Sequence, residues 1–210
     1  MEGFTGLNID AAQRQIRNFN RNGYRIIEGI IIYEIEFLNN LAHSWASPNA
    51  VDFSKKTMNR FEMFNLHFAD RIYHITSGAY KACKVLADVN GAACSIPDIE
   101  RCNVELDCEC CGDTLDGATG MATESVRIYT ETFLTKLKEY AEDINSLPRA
   151  IEFYDLEGNL SETYSTGINE VSEELDSMIS EISTEIKNYM DNESDNILLA
   201  KEQATDMLNG

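Results

Sequence analysis

Ser44-Trp45-Ala46-Ser47-Pro48-Asn49-Ala50-Val51-Asp52-Phe53 carries the only tryptophan of the chain and interrupts two long helical patterns. Ser47 offers a hydroxyl to the free backbone N–H groups of a helix start. Pro48 at the first helical position gives up only a donor that had no partner. Upstream, Ile16, Phe19, Gly23, Ile27, Ile31, Ile35, Leu38, Leu41 and Trp45 recur at three- and four-residue steps, which predicts one helical stripe ending at the tryptophan. Downstream, Phe61, Phe64, Phe68, Ile72, Ile75, Ala79, Ala82, Leu86 and Val89 alternate steps of four and three, the seam of a helical bundle. The stretch therefore reads as the turn of a helical hairpin, and Ser47→Ala is expected to cost roughly 1 kcal/mol from capping alone.

A weakened echo follows about a hundred residues later in Leu147-Pro148-Arg149-Ala150-Ile151-Glu152-Phe153. Around it, Val126, Tyr129, Phe133, Leu137, Tyr140, Ile144 and Leu147 predict a third helix. Ile168, Val171, Leu175, Met178, Ile182, Ile186 and Tyr189 predict a fourth. Phe153 to Ser161 between them suits a small β-hairpin turn or the frayed start of the fourth helix. Its acidic residues lack the placement of a calcium-binding EF-hand loop. Between residues 91 and 117 the periodicity stops, and Gly91, Pro97, Gly112 and Gly117 punctuate a connector. A lone hairpin leaves an apolar face in water, so the expectation is an all-α fold in which two long antiparallel helical hairpins pack as an elongated four-helix bundle. The corresponding segments are a first hairpin at 1–92, a Cys-rich connector at 93–117 and a divergent acidic hairpin at 118–210.

Charge is distributed unevenly. Residues 1–90 carry about 10 basic and 9 acidic side chains, and 91–210 about 7 and 27, within a net charge of −19. Such an acidic chain repels phosphate backbones and anionic lipid, so neither nucleic acid nor a membrane surface is an expected partner. The acidic surface reads as a solvated helix face, or as one that docks on a basic partner. The most apolar run, Ile26 to Leu41, is broken by Glu28, Glu34 and Glu36 and falls short of a membrane span. The opening Met1-Glu2-Gly3-Phe4-Thr5-Gly6 has no basic region leading into an apolar core. The expectation is synthesis in the cytoplasm without a Sec-type signal, and any export proceeds without such a leader.

Enzymatic constellations do not emerge. His43, His67 and His74 have no nucleophile or metal partner at a recognisable spacing, and neither a phosphate-cradling glycine loop nor a His-Glu-x-x-His motif occurs. No cofactor is expected. Cys94, Cys102, Cys108, Cys110 and Cys111 crowd into the connector, with Cys83 just before it. They are weak candidates for a zinc site, because paired Cys-x-x-Cys knuckles are missing. Disulfides, a metal and free thiols all remain open for them.

Taken together, Phe4-Thr5-Gly6-Leu7-Asn8-Ile9, a long helix, a Trp-x-small turn and Pro-Asn-Ala-x-x-Phe opening a second helix resemble the WXG-type family. Those are small helical-hairpin proteins exported by type VII (ESX) secretion systems. The resemblance covers residues 4–90, and 117–210 through the echoed turn and the helix lengths. Ser47 stands where the family has glycine, and Asn145 where the first half has Trp45. The family also carries a Tyr-x-x-x-Asp/Glu signal after its second helix, and Tyr189-Met190-Asp191-Asn192-Glu193 matches it. Positions i and i+4 share a helix face.

The resemblance implies a non-enzymatic secretion substrate or co-secreted helical partner, secreted or cell-surface. Trp45, Ser47, Tyr189 and Glu193 would form the signal that the secretion ATPase reads. The alternative is a cytosolic acidic helical adaptor or chaperone that binds another protein. Oligomeric state is not readable from the sequence.

Overall fold

Four helices dominate the computed structural model, which describes residues 8–99, 102, 104, 106, 120–147 and 159–209. They are α1 (Ile9–Ser44), α2 (Pro48–Val89), α3 (Thr123–Ser146) and α4 (Asn159–Asn209). The all-α class expected from the apolar spacing is the class observed. Two-residue strands β1 (Trp45–Ala46) and β2 (Gly120–Met121) pair antiparallel, Trp45 opposite Met121 and Ala46 opposite Gly120. No helix among the described residues is long and apolar enough to cross a membrane.

Local chemistry sets the helix ends. Asn8 Oδ1 accepts the Ala11 N–H at 3.0 Å, and Ser47 Oγ accepts the Ala50 N–H at 3.2 Å. Each caps the third residue of the following helix. The expected start of the second helix, Ser47 as cap and Pro48 first, is the one observed. At its far end Gly91 adopts φ +68°, Ala92 N–H reaches the Ala87 carbonyl at 2.9 Å, and Gly91 N–H the Asp88 carbonyl at 3.2 Å. That pair of bonds defines a Schellman stop, which needs a left-handed residue where a side chain is costly.

The chain folds into two compact units, each drawing one segment from every helix. Unit 1 comprises Met1–Ile30, Met63–Val104 and Glu139–Leu175; unit 2 comprises Ile31–Glu62, Glu105–Lys138 and Asp176–Gly210. Both therefore take residues from the 1–92 and the 118–210 stretches. In unit 1, Ile16, Phe19, Phe68, Ile72, Ile144, Ile168 and Val171 are buried. There α1 runs antiparallel to α2, with Asn20 on Thr76 and Gly23 against Ile72. A β-carbon at Gly23 would lie 2.5 Å from Ile72 Cδ1, so the glycine sets how closely these helices approach. In unit 2, Leu38, Leu41, Phe53, Phe61, Leu137 and Ile182 are buried, and the Phe37 and Phe133 rings stack 4.3 Å apart.

Two parts of the apolar reading are corrected. Trp45 closes the buried stripe between α1 and α2 as expected but is not helical: α1 ends at Ser44, and Trp45 is in an extended pair held by Ala122 N–H on the Ser44 carbonyl at 2.7 Å. The stripes also drift from the positions expected. On α1 the buried set includes Ile30, Glu34 and Phe37, with Ile31 and Ile35 only half-buried; on α2 burial passes to Tyr80, Cys83 and Ala87, leaving Val89 exposed. A strict 3.5-residue repeat slips by about 20° per heptad on a 3.6-residue helix, enough to hand the core face to the adjacent position. The stripes on α3 and α4 lie as expected, although Tyr129, Tyr140 and Tyr189 are half-buried. The segment from Phe153 to Gly158 lies outside the described residues.

Candidate recognition site

Unit 2 brings the four proposed signal residues together. Trp45 is 2% exposed, and its ring lies 6.2 Å from that of Tyr189 in an edge-on arrangement. Phe53 completes the triad, 6.0 Å from Trp45 and 5.6 Å from Tyr189. The two pairs that involve Tyr189 meet edge to face, an arrangement that attracts through the ring quadrupoles beyond the area it buries. The Trp45 indole N–H is buried without a hydrogen-bond partner, so packing holds the side chain while strand pairing with Met121 holds the backbone.

Glu193, one turn beyond Tyr189, is 7% exposed. Its Oε2 accepts from Asn49 Nδ2 at 2.9 Å and from Ser47 Oγ at 3.2 Å. The carboxylate thus sits at the first turn of α2, where free N–H groups present partial positive charge. Ser47 acts at once as the α2 cap and as a donor to α4. Among the described residues only glycines have positive φ, so Ser47 performs this role without a left-handed backbone.

Around the outer edge of Tyr189 lies a polar rim. The Tyr189 hydroxyl donates to Asp52 Oδ2, Lys56 Nζ donates to that hydroxyl at 3.0 Å, and Lys56 and Asp52 pair at 2.8 Å. Lys56 and then Tyr189 hold the Asp52 carboxyl below its ordinary pKa, and Asp52 and Tyr189 push the Lys56 ammonium up. Half of each charged side chain remains exposed. One turn further, Arg60 forms a forked pair with both Glu185 oxygens at 2.7 Å and holds the Glu185 carboxyl below its usual range.

Trp45, Ser47, Tyr189 and Glu193 were legible as candidates, whereas Asn49, Asp52 and Lys56 were not. The spacing of Asp52 and Lys56 signals a helix-surface pair, but nothing in it points to a tyrosine more than a hundred residues away. Compared with known proteins, the chain matches no family model, no curated protein and no solved structure.

The cysteines separate from this site. Cys83 and Cys94 lie together in unit 1, and Cys102 neighbours Tyr24 and Glu28 there. Cys108, Cys110 and Cys111 are outside the described residues. No group of three or more His, Cys, Asp or Glu side chains is placed to hold a metal ion among the described residues.

Proposed function

We propose that this chain is a non-enzymatic type VII (ESX) secretion substrate or co-secreted partner of the WXG type. In this reading its two antiparallel helical hairpins pack as an elongated four-helix bundle, and the protein is secreted or reaches the cell surface. The observation that carries the reading is the meeting of Trp45 with Tyr189 and of Ser47 with Glu193, although Tyr189 and Glu193 lie within α4, which continues to Asn209, and not at its end as the motif's usual place suggests. A chance Tyr-x-x-x-Glu match elsewhere on a long acidic helix has no reason to land on the only tryptophan.

Burial divides the labour. Trp45 and Glu193 are too enclosed for a reader to grip, so they fix the α4 register against the turn. The half-buried Tyr189 edge, with exposed Asp52 and Lys56, is what the secretion ATPase would touch. The bundle arrangement is supported by antiparallel contacts of α4 on α2, through Lys56–Tyr189 and Arg60–Glu185 in unit 2 and Arg71–Glu170 in unit 1.

The test is export from cells carrying a type VII system, with and without its ATPase, read as protein in the medium. Tyr189→Ala is expected to abolish export while helical content is kept. Leu175→Ala, which removes a buried side chain in unit 1, serves as the stability control and exports normally. Export of the Tyr189 variant at the unaltered level would sink the proposal.

The second reading, an acidic helical adaptor, draws on the exposed Leu198, Leu199, Met207 and Leu208 of α4. It predicts retention in the cytosol whether or not the ATPase is present.

A further inference from the structure

We propose that Cys83 and Cys94 form a reversible disulfide that fastens the segment leaving α2 back onto that helix. The two sulfurs lie 3.9 Å apart, although the residues are eleven positions apart in sequence. The Schellman stop at Gly91 makes this meeting possible, because a left-handed residue there turns the chain back along the helix it has just left. Cys94 is then held from the other side. Gln13 of α1 donates its amide N–H to Cys94 Sγ at 3.2 Å and to the Ser95 carbonyl at 3.1 Å. To bond, the two sulfurs have to close from 3.9 Å to about 2 Å.

The surroundings of the two sulfurs assign their order of reaction. Cys83 is 1% exposed, and burial pushes its thiol up to about 11, whereas Cys94 is half-buried and open to solvent. With glutathione disulfide as oxidant, the Cys94 thiolate attacks one glutathione sulfur and one glutathione thiolate leaves. Cys83 then loses its proton to solvent, and its thiolate attacks Cys94 Sγ and displaces the second glutathione. Two protein thiols are oxidised, and one glutathione disulfide is reduced to two thiols. The bond is therefore absent in a reducing compartment and forms in an oxidising one. The proposal rests on the thiol pair and stands whether or not the chain is exported.

The experiment equilibrates the reduced full chain with glutathione redox mixtures, blocks free thiols by alkylation and maps tryptic peptides. Cleavage after Lys81, Lys84 and Arg101 places Cys83 in Ala82–Lys84 and Cys94 in Val85–Arg101, one cysteine in each. The expected product is these two peptides joined, lighter by two hydrogens than their sum, with a melting point raised by roughly 5–10 °C. Cys102→Ser leaves the linkage intact. Cys83→Ala traps Cys94 as its glutathione adduct. The proposal fails if Cys83 stays open to alkylation at full oxidation, or if Cys94 pairs instead with Cys102, Cys108, Cys110 or Cys111.

Discussion

At the scale of single residues, the site joins one enclosed contact to one exposed one, and they should respond differently to mutation. Glu193 receives two hydrogen bonds in a nearly dry setting, so Glu193→Ala is expected to cost about 1–3 kcal/mol in denaturant unfolding. Tyr189→Phe keeps both ring contacts and loses only a hydroxyl among exposed charges, and should cost under about 1 kcal/mol. An equal loss in the two variants would contradict this division. The Arg60–Glu185 pair adds a pH dependence. The Glu185 carboxyl is depressed in the folded chain from an ordinary 4.5, so its stabilisation is complete above about pH 4.5 and is lost as the pH falls through the lower folded value. Melting points taken from pH 6 downward should fall less steeply in Arg60→Ala than in the unaltered protein.

Among the helices, start and stop signals act locally and were the most legible features. Ser47 and Pro48 announced the beginning of α2 because a cap hydroxyl and a missing N–H act within one turn of themselves. Gly91 marked the end of the periodic pattern, and its left-handed backbone gives the reason. Gly91→Ala should destabilise by about 1 kcal/mol, measured by thermal or urea unfolding. The buried faces were legible only to within one position. Glu34 read as an interruption of an apolar run yet is fully buried, because helix drift carries the core face onto it. Charge behaved similarly. The acidic face of α4 read as a solvated surface, but Glu170, Glu174 and Glu185 meet Arg71, His67 and Arg60 of α2. Part of the basic partner for that face is therefore the chain's own second helix.

For the whole molecule, the compact units cut across the chain rather than following it. Both units take apolar side chains from residues 1–92 and from 118–210, as the Phe37–Phe133 stack in unit 2 and the buried Phe68, Ile72, Ile168 and Val171 in unit 1 illustrate. Either stretch produced alone should lose much of its helical circular dichroism, and mixing the two should restore it, since an unpartnered amphipathic helix is only marginally stable in water. Full helicity of an isolated stretch would refute that expectation. The sequence by itself determined the all-α class, four helices and the Ser47–Pro48 start of α2, all set by spacing and by chemistry within a few residues. Only the tertiary structure decided that Trp45 enters a two-residue strand pair with Gly120–Met121, that Tyr189 and Glu193 close over it, and that Cys83 meets Cys94. Those contacts join distant positions through packing and chain reversal, which no local periodicity encodes.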